Sequence, residues 1–259
     1  MTRLPDVARD ANHLPTGDPS SMVFVRTLGA ASIDAGVTRL TPSSVRKFAL
    51  LFYLWAERGR SVTRATLHDL VFPDQTAPNA RHSIRELIYQ FRKLGARIAS
   101  EGETVELAPE SVRADYSDVL RQERPSLEQL RAATGGFMPG YAPAHSEAFT
   151  EWLEGLRARA TVELNRVFVA ELNRARRLGD WTLVEAAAQA VLALDPLHEE
   201  ATFATAEMLA INGAKAQAVR VLDKYVEEVG KSSPDLKLPA TLLRRRISER
   251  SREISSVEA

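Results

Sequence analysis

A chain of 259 residues with 44% hydrophobic and 26% charged side chains can bury a substantial core, which excludes disorder throughout. Its 34 lysines and arginines cancel its 34 aspartates and glutamates, so any attraction to a polyanion must be local. The absence of cysteine excludes disulfides, thiolate nucleophiles and Cys-ligated zinc, and is compatible with the cytoplasmic location expected for this chain.

The first twenty residues lack the apolar stretch of a secretory signal and read as a disordered tail. From Met22 to Leu28 the pattern is that of a strand, with Ala31 to Ile33 and Val37 to Leu40 as short partners about Gly36. Thr41 stands as an N-cap before Pro42 of a first helix, in which Phe48, Leu51, Phe52 and Trp55 recur at helical spacing up to Gly59. Its apolar run Phe48 to Ala56 falls far short of the roughly 20 residues of a membrane span. No membrane partner is expected.

Val62-Thr63 opens a second helix, with Leu67, Leu70 and Val71 on one face, closed by Pro73. A third helix, from about Pro78 to Leu94, turns Ile84, Leu87, Ile88, Phe91 and Leu94 inward and leaves polar residues outside. Arg97 to Ala99 and Thr104 to Leu107 flank a turn at Gly102 and read as a hairpin. Strands, three helices and a hairpin are the order of a winged helix.

Residues 121–136 read as a connection, with a Ser126/Gln129 capping box and the breaker Gly135-Gly136. Beyond it the sequence is helical: one long helix over about 146–178, then others broken at Gly179-Asp180, Asp195-Pro196 and Asn212-Gly213. Gly179 and Gly213 lie 34 residues apart, the tetratricopeptide period, and alanines such as Ala186, Ala190, Ala201, Ala204 and Ala218 suit close helix crossings. A last helix, about Pro239 to Arg252, would cap the array, its arginines forming a solvated face. The expected class is therefore mainly α: an N-terminal α+β winged helix-turn-helix over 21–120, the connection 121–136, a tetratricopeptide-like α-solenoid over 137–252, and tails at 1–20 and 253–259.

The chain resembles the SARP and AfsR-like transcriptional activators, an OmpR-type winged helix followed by a bacterial transcriptional activation domain. The resemblance runs over about residues 22–250. It rests on Arg46-Lys47-Phe48-Ala49-Leu50-Leu51, Val62-Thr63-Arg64-Ala65-Thr66-Leu67, Asn79-Ala80-Arg81-His82-Ser83-Ile84 and Tyr89-Gln90-Phe91-Arg92-Lys93-Leu94, and later on Gly136-Phe137-Met138-Pro139-Gly140, Leu194-Asp195-Pro196-Leu197-His198-Glu199-Glu200 and Ser233-Pro234 shortly before the last helix. It implies a regulator that reads double-stranded promoter DNA with its third helix, self-associates or binds partners through its helical repeats, and recruits RNA polymerase.

Charge points to the same helix. Residues 81–97 carry Arg81, Arg85, Arg92, Lys93 and Arg97 against Glu86 alone, a net +4 on a neutral chain. With the apolar stripe inward, Arg81, His82, Arg85, Tyr89, Gln90, Arg92 and Lys93 can face a groove, where Gln, Arg and His suit base edges and Lys and Arg suit phosphates. Arg97 beyond the helix, and Arg46 and Lys47 at the start of helix one, are further backbone candidates. Glu101, Glu103 and Glu106 in the hairpin would repel phosphates. No cofactor or catalysis is expected: P-loop, dinucleotide fingerprint, His-Glu-x-x-His and nucleophile motifs are absent. The alternative is an interaction adaptor whose winged helix does not bind DNA.

Overall fold

The computed structural model describes residues 22–122, 124–230 and 237–257, with side chains of the last helix through residue 249. The tail expected over 1–20 and the Ser233-Pro234 pair lie outside them. The architecture is mainly α, a small α+β winged helix followed by antiparallel helical hairpins.

Strands β1 (Val23–Arg26), β2 (Ser32–Ala35) and β3 (Thr38–Leu40) form an antiparallel meander, with Gly36 at positive φ between β2 and β3. Val23, Val25 and Ile33 point inward, and Arg26 and Arg39 meet Asp34 outside. A fourth strand, β7 (Val112–Ala114), joins β1 in parallel, giving the order β3-β2-β1-β7. It is only three residues long, too short for its alternation to stand out in sequence.

Helix α1 (Val45–Ala56) begins three residues later than the Thr41-Pro42 signal suggested. The cluster of hydroxyls forms a turn instead: the Ser44 N–H donates to the Thr41 carbonyl at 2.9 Å, and the Thr41 and Ser43 hydroxyls bond at 2.6 Å. Val62-Thr63 is likewise not helical. It forms β4, pairing with β6, while the Thr63 hydroxyl caps α2 (Arg64–Val71) by accepting from Thr66 N–H at 3.0 Å. The β-branched Val62 buries in the sheet. Helix α3 (Ala77–Lys93) has Pro78 in its first turn, and β5 (Ile98–Glu101) and β6 (Thr104–Leu107) make the expected hairpin about Gly102.

Helices α4 (Asp115–Arg121) and α5 (Leu127–Ala133) follow, the latter opened by the Ser126/Gln129 capping box. The Asp115 carboxylate accepts from the Thr27 hydroxyl (2.7 Å) and the backbone N–H groups of Thr27, Leu28 and Tyr116, locking α4 to the end of β1. Next come α6 (Glu147–Leu178), α7 (Trp181–Leu194), α8 (Glu199–Ile211), α9 (Lys215–Gly230) and α10 (Lys237–Val257), with α7 to α10 each packed on its predecessor and α5 packed on α7. Helix α10 thus continues into the stretch expected to be tail. Gly179 and Gly213 close the equivalent α6/α7 and α8/α9 turns, both in the left-handed region. Gly213 has open space where a Cβ would go, so Gly213→Ala should cost only the backbone penalty, about 1–2 kcal/mol, measurable by urea unfolding.

One apolar core runs without a break from Val23 to Ala204; a second cluster, centred on Leu222 and Tyr225, holds α8, α9 and α10 together. At the junction of winged helix and hairpins, Phe52 packs on Phe48, Trp55, Tyr141 and Trp152. The Ser146 hydroxyl caps α6 and donates to the Leu70 carbonyl at the end of α2 (2.9 Å). Trp152 Nε1 reaches Glu57, and the Tyr116 hydroxyl donates to Glu163. Burial first, and the Glu163 carboxylate second, hold that phenol protonated far above its ordinary range. Helix α6 is thereby fixed against α1, α2 and α4.

Candidate nucleic-acid interface

Helix α3 is built to show one side. Ala80, Ile84, Ile88 and Phe91 are buried, spaced at three and four residues, and fix the helix by its apolar stripe. The opposite side follows from the same 3.6-residue period. His82, Glu86, Tyr89 and Lys93 form the row farthest from the core, and all four are exposed. Arg81, Arg85 and Arg92 form the next row, also exposed, on the flank facing the hairpin.

The two rows differ in how their charges are held. Arg81 Nη2 lies 3.5 Å from Glu103 on the hairpin, with both side chains more than half exposed, so the pair contributes little to stability. The Arg92 guanidinium donates twice to the Ile98 carbonyl, at 3.0 and 2.6 Å, bracing the turn into β5. Between them Arg85 has no hydrogen-bond or ion-pair partner among the described residues, and neither does His82. Lys93 Nζ stands 4.5 Å over the Tyr89 ring, whose residue is 57% exposed. That contact orders a long cation and a large ring on the open face. Gln90 is half-buried and donates to Glu86 at 3.3 Å.

The remaining sequence candidates lie apart from these rows. Arg97 pairs with Glu110 at 3.1 Å at the base of the hairpin. Arg46 pairs with Asp74 at 2.6 Å and stacks over Phe72, while the neighbouring Lys47 is half-buried and has no partner among the described residues. Arg46 and Asp74 line a pocket with Val71, Pro73, Ala144 and His145 where the winged helix meets the start of α6. There burial first, and Arg46 second, push the imidazole of His145 toward neutrality.

Tyr53 and Trp55 are buried packing residues, Trp55 against Tyr116 and Tyr53 against Trp152. His68 bonds the Gln75 carbonyl and His198 caps α8, so both serve local structure. Two contributors were not singled out from sequence. Arg64 donates to the Gly102 carbonyl and the Ser100 hydroxyl and stiffens the hairpin from below. Glu86 occupies the outermost row, although counting charges treats it only as a subtraction. Its spacing of four from His82 and three from Tyr89 was the available signal.

No group of acidic and histidine side chains able to hold a metal ion occurs among the described residues, and no helix there is long and apolar enough to cross a membrane. What the face offers is exposed cations, a stacking ring and hydrogen-bonding groups on a rigid rod about 25 Å long. Neither a protein-family model nor a curated protein matches the sequence. Among solved structures, the chain is similar to Mycobacterium tuberculosis EmbR in complex with a low-affinity phosphopeptide, with a TM-score of 0.56 at 13% identity. The match covers 89% of this chain and 66% of that one, so it spans just under two thirds of the EmbR chain, and the likeness is one of fold.

Proposed function

We propose that the protein is a DNA-binding transcriptional regulator of the SARP and AfsR-like type, acting as an activator in the cytoplasm. Residues 21–120 would be the DNA-binding portion and 137–252 a tetratricopeptide-like portion for self-association or for contact with RNA polymerase. The observation that carries this reading is the exposure of α3: its cationic and polar rows stand clear while its apolar stripe is buried. A helix anchored in this way can enter a major groove, with Arg85 and Lys93 at phosphates and His82, Tyr89 and Gln90 toward base edges. The fold likeness to EmbR is in keeping with a regulator.

The hairpin has a different part in this reading. Glu103 engages Arg81, Arg64 is committed to Gly102 and Ser100, and Glu101 is exposed beside them, so among the described residues the tip has no free cation to offer a phosphate and the contact would be made by α3. Selection from a pool of random duplexes tests the proposal: a shared motif should be enriched, with half-site spacing reporting the number of subunits. A second reading, the protein-interaction adaptor, draws support from Leu178, Trp181 and Ile211, large apolar side chains exposed at the two hairpin turns. It predicts no retention of any duplex at low salt.

A further inference from the structure

Glu86 is a carboxylate in the middle of the row that would enter the groove. It is exposed, it has no ion-pair partner among the described residues, and its Oε1 accepts from Gln90 Nε2 at 3.3 Å. None of the arginines of α3 pairs with it, and the adjacent Arg85 makes no ion pair among the described residues. Arg81 turns to Glu103, Arg92 turns to the Ile98 carbonyl, and both lie in the neighbouring row with Arg85.

Against a phosphate such a group would be repelled, and within a groove the partner that suits it is a hydrogen-bond donor on a base edge. The major groove presents two such donors, the amino groups of cytosine and adenine. On adenine the amino group sits beside the N7 acceptor, which would face the second carboxylate oxygen; on cytosine the amino group has no acceptor of the same base next to it. We infer that Glu86 is a specificity-determining residue that accepts a hydrogen bond from a cytosine amino group. The inference rests on the DNA-binding reading above and adds to it the base that the centre of α3 selects.

Selection from random duplexes with the full-length wild-type protein, Glu86→Ala and Glu86→Gln tests it. The wild type should enrich a motif with a fixed cytosine. In Glu86→Ala the preference at that position should fall about tenfold or more while the other positions persist, and Glu86→Gln should move it toward adenine, which an amide can bond at N6 and N7. An unchanged motif in both variants, with uniformly tighter binding to every sequence, would overturn the assignment and leave Glu86 as a repulsive surface charge. Absence of any enriched motif with the wild type is a separate result, and it would remove the DNA-binding reading together with this one.

Discussion

Phe52→Ala should destabilise the protein by about 3–5 kcal/mol, and the loss should appear in every part of the molecule at once. Phe52 is fully buried and touches four other aromatic rings, two of them, Tyr141 and Trp152, beyond the winged helix. Truncation removes its own buried surface and leaves a cavity that α1 and α6 cannot both close, because Ser146 and Trp152 pin α6 to α2 and α1. Urea unfolding followed by tryptophan fluorescence and far-ultraviolet circular dichroism should give coincident transitions, both shifted to lower denaturant. Fluorescence reports Trp55, Trp152 and Trp181, and dichroism reports the helices. Two separated transitions, with only one displaced, would show that the aromatic junction does not couple the parts.

The second large effect concerns the open face of α3. Arg85→Ala combined with Lys93→Ala should weaken binding to a selected duplex by more than tenfold and make the logarithmic salt dependence shallower by close to two. Each lost phosphate contact lowers the slope by about 0.9. Neither side chain supports the fold: Arg85 has no partner among the described residues, and Lys93 meets only the exposed ring of Tyr89. Thermal stability should therefore stay within about 0.5 kcal/mol of the parent. Arg92→Ala should behave differently, because its guanidinium holds the Ile98 carbonyl, and part of its effect on binding should come from a loosened turn into the hairpin. An unaltered slope in the double variant would place the phosphate contacts elsewhere.

The sequence carried the long-period features well and the short ones poorly. Helices α1, α3 and α6 each place enough apolar residues at spacings of three and four to define a face, and the 34-residue interval between Gly179 and Gly213 marks two turns that need left-handed backbone. Strand β7 is different: Val112-Arg113-Ala114 is ordered by parallel pairing with β1, far away in the chain, so no local pattern announces it. Val62-Thr63 failed for the same reason, since a two-residue strand exists only through its partner β6. Thr41-Pro42 satisfied the local rule for a helix start, and a turn closed by the Ser44 N–H on the Thr41 carbonyl, with the Thr41 and Ser43 hydroxyls bonded across it, moved that start to Val45.

The candidate face was legible in part. Which residues α3 exposes follows from its period alone, and Arg81, His82, Arg85, Tyr89, Arg92 and Lys93 are all exposed. Which of them are unpaired does not follow. The engagement of Arg81 by Glu103 and of Arg92 by the Ile98 carbonyl depends on the hairpin folding back along the flank of the helix, a relation set by tertiary packing. The same packing separates Arg46 and Arg97 from the face by giving each a carboxylate of its own, Asp74 and Glu110.

Hydrogen exchange of the full-length protein, with and without a selected duplex, measures most directly whether α3 is the surface that meets DNA. The side chains of residues 81–93 are expected to shield the backbone of that segment when the duplex is bound, so exchange should slow over α3 and remain unchanged over α7 to α9. Slowing confined to the helical hairpins, with α3 exchanging at its free rate, would contradict the account.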